Sequence, residues 1–140
     1  MFSLTRKSSY AIIGMSHLAT LEAAQLASAK EIALKYGISM AFLMNVMKEL
    51  AAAGFVESAR GAHGGYRLAQ SPRKINMADV VLALEGPVRS AHCMRKAGED
   101  VADVCQIVDR CPIADPVHRL HRKLNDFLKG LTLADVLEAG

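Results

Sequence analysis

The 140-residue chain has no Trp, only 5% aromatic residues and four Pro. Strands of a β-sandwich or barrel favour Val, Ile, Thr and aromatics. Their scarcity beside plentiful Ala, Leu and Met points to a mainly helical fold. Long apolar runs are missing as well. The longest charge-free stretch, Ser8 to Leu21, has 14 residues and includes Ser, His and Thr, short of the ~20 that a helical membrane span requires. The opening MFSLTRKSS leads into no apolar core with a small-residue cleavage site, so no signal peptide is read and a cytoplasmic protein is expected. The sequence holds no Gly-rich phosphate loop, no H-E-x-x-H, no G-x-S-x-G and no C-x-x-C. No enzyme is therefore expected, and a small thiol oxidoreductase is a weak alternative, as is a pure protein-interaction module.

What is present is enough apolar material, 51% of residues, for the core of one domain with an appended helix or two. Charge is unevenly divided. Residues 1–75 carry nine Lys and Arg against four acids, and residues 76–140 carry eight against ten. A basic half on a protein of net charge +3 is what a polyanion-binding surface looks like, although uneven solvated surfaces are common too.

Periodicity and caps divide the chain into elements. Leu4 to about Leu21 reads as a helix burying one side. Ser28 and Glu31 form a capping-box pattern opening a second helix through about Tyr36, which Gly37 ends in the left-handed conformation. Ser39 caps a third helix running to about Ala53. Two short strands, Phe55–Ala59 and Tyr66–Leu68, flank the Gly-rich tip Arg60–Gly65 and predict a β-hairpin. Asn76 caps a fourth helix through about Glu85. Periodicity fails from Val88 to Pro112, read as a loop with at most one short helix. Asp115 and Pro116 then supply a cap and a first-turn Pro for a helix to Gly130, and Thr132 caps a last short one. The expected divisions are residues 1–86 for nucleic-acid binding, 87–114 for a Cys-containing loop, and 115–140 for a dimerisation helix and a terminal helix.

Residues 30–50 have helix-turn-helix spacing: a small residue at Ala33, a turn at Gly37, and Leu43 to pack back on the first helix. The second helix of such a unit lies in the DNA major groove. Ser39, Ala41, Met44 and Asn45 would face base edges and Lys48 a phosphate. Asn pairs bidentately with adenine, and Met44 offers apolar contact to a thymine methyl. The hairpin that follows would be a wing, with Arg60 at its tip able to enter a narrow A·T-rich minor groove, and with His63 and Tyr66 beside it.

Cys93, Cys105 and Cys111 give the spacing C-x11-C-x5-C. An odd number excludes a closed intramolecular disulfide set and suits a reducing compartment. Buried free thiols are the ordinary alternative, but these three share the one aperiodic stretch. The spacing lacks the close pairs of most structural zinc sites, which ranks an iron–sulfur cluster above zinc, and both above metal-free redox thiols.

Together these features resemble the family of winged-helix regulators typified by IscR, NsrR and RirA. The residues that carry the resemblance are Leu4-Thr-Arg-Lys-Ser-Ser-Tyr-Ala11, Gly37-Ile-Ser39, Gly54-Phe-Val56, Arg60-Gly-Ala-His-Gly-Gly-Tyr-Arg-Leu68, Ile75-Asn-Met-Ala-Asp-Val-Val80 and the three Cys ahead of a long helix. The resemblance implies a homodimer on a palindromic double-stranded DNA operator, a repressor, with Cys93, Cys105 and Cys111 holding a 2Fe–2S or 4Fe–4S cluster. It implies a long helix, Asp115–Lys129, crossing its counterpart, and the 117/120/124/127 spacing suits such a two-helix seam. Some relatives complete the cluster with a His where this chain has Ala114, others with a carboxylate near the N-terminus, where Thr5 to Tyr10 hold none. His92, Asp109, Asp115, His118, a small molecule and, less readily, His63 stay open as the fourth ligand. Ala41 and Met44 also replace polar residues of some relatives.

Overall fold

The computed structural model describes residues 4–87 and 107–139. Six α-helices and one two-stranded antiparallel hairpin are found there: α1 (Arg6–Ala19), α2 (Ala29–Tyr36), α3 (Met40–Ala52), β1 (Val56–Ala59), β2 (Gly65–Leu68), α4 (Met77–Glu85), α5 (Ala114–Gly130) and α6 (Leu133–Glu138). Short 3-10 turns occupy Pro72–Lys74 and Val108–Arg110. The expected helical fold with a small hairpin is what forms.

The helix starts follow the cap residues. Hydroxyl or amide oxygens of Thr5, Ser28, Ser39, Asn76 and Thr132 accept from the N–H three residues on, satisfying donors that a helix leaves open. Of the Ser28 capping box, the Ser28 half is made. Among the described residues, the full reciprocal box is Thr132 with Asp135, whose hydrogen bonds hold the Asp135 carboxyl below its ordinary pKa. One start differs from expectation. α5 begins at Ala114 with Ile113 at its cap position and no side-chain cap, rather than being capped by Asp115. Pro116 then sits third in the helix, where its missing N–H still costs nothing because the first four N–H groups have no intrahelical acceptor.

The core lies between α1, α3 and α4, with Ala11, Met15, Leu43, Met47, Leu50 and Val80 enclosed. α1 and α3 approach closely at Gly14, where a Cβ would stand 3.0 Å from the Met47 Sδ. The C-terminal segment returns to this core. Backbone bonds Met77 N–H to Leu131 C=O (2.8 Å) and Leu133 N–H to Ile75 C=O (2.8 Å) tie it to the start of α4, and Leu128 and Leu133 are buried in the same cluster. The end of the helix expected to serve dimerisation thus also closes the head. At the other end of α4, Glu85 accepts from the Thr5 and Ser8 hydroxyls, the latter at 2.7 Å. These bonds, Thr5's first, hold the Glu85 carboxyl below its ordinary pKa. They fix the position at which α4 hands the chain to residues 88–106.

Candidate nucleic-acid interface

Gly37 joins α2 to α3 at φ +65°, in the left-handed region where a Cβ is strained. Its N–H bonds to the Ala33 C=O, and the Ile38 N–H to the same carbonyl at 3.0 Å. Ala33 and Leu43, the positions expected to let the two helices meet, are both buried. Burial of Leu43, Val46, Met47 and Leu50 leaves the opposite side of α3 to solvent. That side carries two ridges at i, i+4, i+8 spacing: Met40, Met44 and Lys48, and Ala41, Asn45 and Glu49, all exposed. Four predicted contact residues, Ala41, Met44, Asn45 and Lys48, therefore share one face, with Ser39 at its N-terminal end.

The face is electrostatically edited. Glu49, the one carboxylate on it, is paired with Lys7 of α1 at 3.4 Å. An ion pair this exposed contributes at most about 1 kcal/mol to stability, but it neutralises a charge that would repel phosphate. Among the described residues, Lys48, Lys30 and Arg60 make no ion pair and are exposed. Ser39 Oγ is engaged by the Phe42 N–H (3.4 Å), whereas the Asn45 carboxamide makes no hydrogen bond to a described residue.

The hairpin stands immediately after α3 in register Val56↔Leu68, Glu57↔Arg67, Ser58↔Tyr66 and Ala59↔Gly65, with Arg67 Nε donating to Glu57 Oε2 at 3.0 Å. Its tip is tight for a steric reason: a Cβ on Gly64 would lie 2.4 Å from the Ala59 carbonyl oxygen. Arg60 and His63 are exposed at that tip. Tyr66 is placed differently. It is half-buried against the core, and its backbone exchanges both hydrogen bonds with Ala27 (2.8 and 3.0 Å), just before α2. The hairpin is thus locked to the entrance of the helix-turn-helix, and a Cβ on Gly65 would collide with Ala27 at 2.7 Å.

Sequence reasoning missed Met40, the Lys7–Glu49 pair and the Ala27–Tyr66 bridge. Met40 was within reach, because a cap at Ser39 places residues 40 and 44 on one ridge. The other two are contacts across 42 and 39 positions of chain with no local signal.

Of the predicted cluster ligands, Cys93 and Cys105, with His92, lie outside the described residues. Cys111 is a free thiol, half-buried, three residues before α5. Asp109 is exposed, and Asp115 and His118 line an open groove of about 470 Å³ on α5 with Arg119, His121 and Arg122. No group of three or more His, Cys, Asp or Glu able to hold a metal is assembled among the described residues.

A helix-turn-helix with its hairpin pinned beside the second helix defines the winged-helix DNA-binding transcription regulators, and this chain is one. The particular family is the Rrf2 family, described as iron-dependent transcriptional regulators, to which the chain belongs: the family model matches residues 4–139. Protein aau3 of Rhizobium meliloti is 31% identical over 97% of this chain and 85% of its own. CymR of B. subtilis, the global cysteine regulator of that organism, superposes with a TM-score of 0.75 at 26% identity, covering 100% of this chain and 99% of CymR. IscR of T. potens does so with a TM-score of 0.70 at 28% identity, covering 99% and 88%. The family is one of transcriptional regulators rather than enzymes. No described helix is long and apolar enough to cross a membrane.

Proposed function

We propose that the protein is a cytoplasmic homodimeric repressor whose grip on a palindromic operator is set by an iron–sulfur cluster on Cys93, Cys105 and Cys111. The observation that carries the reading is the state of α5. Ile113, Leu120 and Phe127 stand 59%, 61% and 64% exposed, each seven residues from the next, and Cys111 stands at the N-terminal end of the same helix. Uncovered apolar side chains at heptad spacing suit a second copy of the helix, packed patch to patch about a two-fold axis. The donor set fits a cluster: three thiols, of which Cys111 is free and stands three residues before α5.

When bound, the cluster supplies an iron- and redox-dependent tie between the thiolates. Within the chain, α4 is fixed to α1 by Glu85 and α5 to the head by Leu128, so the Cys-bearing segment joins two anchored elements. Releasing the thiolates shifts the population of dimers whose two α3 helices match one operator. In each half-site, Ser39, Ala41, Met44 and Asn45 face bases, Lys48 a phosphate, and Arg60 with His63 the minor groove. Tyr66 acts through the seating of the wing. Asp109, Asp115 and His118 are the described candidates for a fourth ligand.

A second reading, reversible oxidation of the thiols or zinc on them, is supported by Cys111 being free and half-exposed. Anaerobic purification followed by a visible spectrum, iron, sulfide and zinc assays, and DNA titration separates the two. A brown protein with matched iron and sulfide, losing colour and changing operator affinity when all three Cys become Ala, is the expected result. A colourless sample holding zinc or no metal after reconstitution overturns the cluster and leaves the second reading.

A further inference from the structure

We propose that the recognition helix reads thymine methyl groups, so that the half-site under α3 is A·T-rich and is recognised chiefly by apolar contact. The inference rests on the reading of α3 as the major-groove helix and adds what that helix selects.

Met40 and Met44 are 46% and 38% exposed on successive turns, and Ala41 is exposed beside them. These three occupy the N-terminal half of the face, the part that enters the groove deepest in a helix-turn-helix. None of their side chains can donate a hydrogen bond, and only the weakly accepting thioether sulfurs can receive one. Guanine is read most often by a bidentate Arg or Lys on its O6 and N7. No Arg or Lys occurs from Ser39 to Met47, and Lys48 lies on the third turn. Asn45 is the one carboxamide on the face, and its bidentate partner is adenine. The thymine C5 methyl is the apolar feature that DNA presents in the major groove, and an unbranched, polarisable thioether adapts to it. Two exposed Met on a soluble helix therefore have a partner in the groove, and the charges around them fit that partner. Lys48 continues the Met ridge, Lys30 and Arg60 are unpaired among the described residues, and Lys7 cancels Glu49. An apolar protein partner would not need this cationic frame, and DNA would.

The test selects binding sites for the full-length protein from a random double-stranded DNA pool, then replaces thymine by uracil in the selected site, one position at a time. Uracil pairs as thymine does and lacks only the methyl. A·T enrichment under α3 is expected, with affinity falling about fourfold for each contacted methyl removed, the worth of one CH2-sized apolar group. Met40→Ser and Met44→Ser change exposed residues and should fold, as checked by circular dichroism. Each should lose part of the methyl sensitivity. Selection of G·C pairs under α3, or uracil sites bound as tightly as thymine sites, overturns the inference and leaves the DNA-binding face standing. If Lys48→Ala and Arg60→Ala leave DNA affinity unchanged, the assignment of that face fails and the inference falls with it.

Discussion

His17 shows how much a single side chain can decide. It is 6% exposed in α1, its ring meets Tyr36 edge-on at 5.7 Å, and Nδ1 lies 3.1 Å from the Tyr36 hydroxyl. Nε2 is buried without a partner among the described residues. Burial, then the nearby Lys35, lowers its pKa from the ordinary 6.5, against a smaller opposing pull from Glu31. Folding therefore favours the neutral form of His17. Above pH 6.5 both states are neutral there and His17 costs nothing. As pH falls below 6.5 the unfolded chain takes up the proton first, and stability drains away until the lower folded pKa is passed. Thermal midpoints measured from pH 7.5 to 5.5 should fall for the wild type and fall less for His17→Gln. Equal slopes would remove His17 from the account. Glu85 and Asp135 have the same sign, their contribution being lost on acidification, but below their ordinary values of 4.5 and 3.8, outside that window.

The element most dependent on others is the hairpin. Two strands of four residues are too short to be stable alone. The wing is held by Phe55 and Val56 in the core, by the Ala27–Tyr66 exchange, and by two glycines that leave room for backbone. At Gly64 the obstacle to a Cβ is the Ala59 carbonyl, which has no rotamer in which to retreat. Gly64→Ala should cost about 1–3 kcal/mol, the usual range for overpacking, drawn from the wing. The expected signature is weaker DNA binding with a cooperative melt retained. Amide exchange localises the effect: faster exchange confined to residues 56–68 is expected, and unchanged exchange there would show that the tip accommodates a methyl. Arg60 lies in the same tip, so the geometry of the tip and its contact with DNA are tested together.

At the scale of the whole molecule, the exposed stripe along α5 is the surface for a second copy in the proposed dimer. Leu120 and Phe127 of α5, with Ile113 at its cap, are exposed, while Leu128 on the same helix is buried in the head. One helix thus serves two surfaces. Leu120→Glu sits at the centre of the stripe and Phe127→Glu near its end, and neither touches the core, so each should fold. Light scattering should show a single-chain mass for the variants and twice that for the wild type. Affinity for a palindromic site should drop about 10²-fold or more as the two half-sites uncouple. A dimer that survives both substitutions would move the interface elsewhere.

The sequence by itself determined the helices, the turn and the hairpin, because each depends on local rules, and its motifs carried the resemblance to the family. Caps at Ser28, Ser39, Asn76 and Thr132, the left-handed Gly37 and the short strands flanking a Gly-rich tip act over a few residues, and so could be read one after another. The missed cap of α5 has the same origin, since Pro116 fits either the first or the third position and local preference does not choose. Tertiary structure alone decided what the distant contacts do. It tethered the wing through the Tyr66 backbone, gave Glu49 its Lys7, and split α5 between the head and an uncovered stripe. Those outcomes depend on which helix faces pack together, and burial of Leu43, Val46, Met47 and Leu50 is what forces the remaining side of α3 outward.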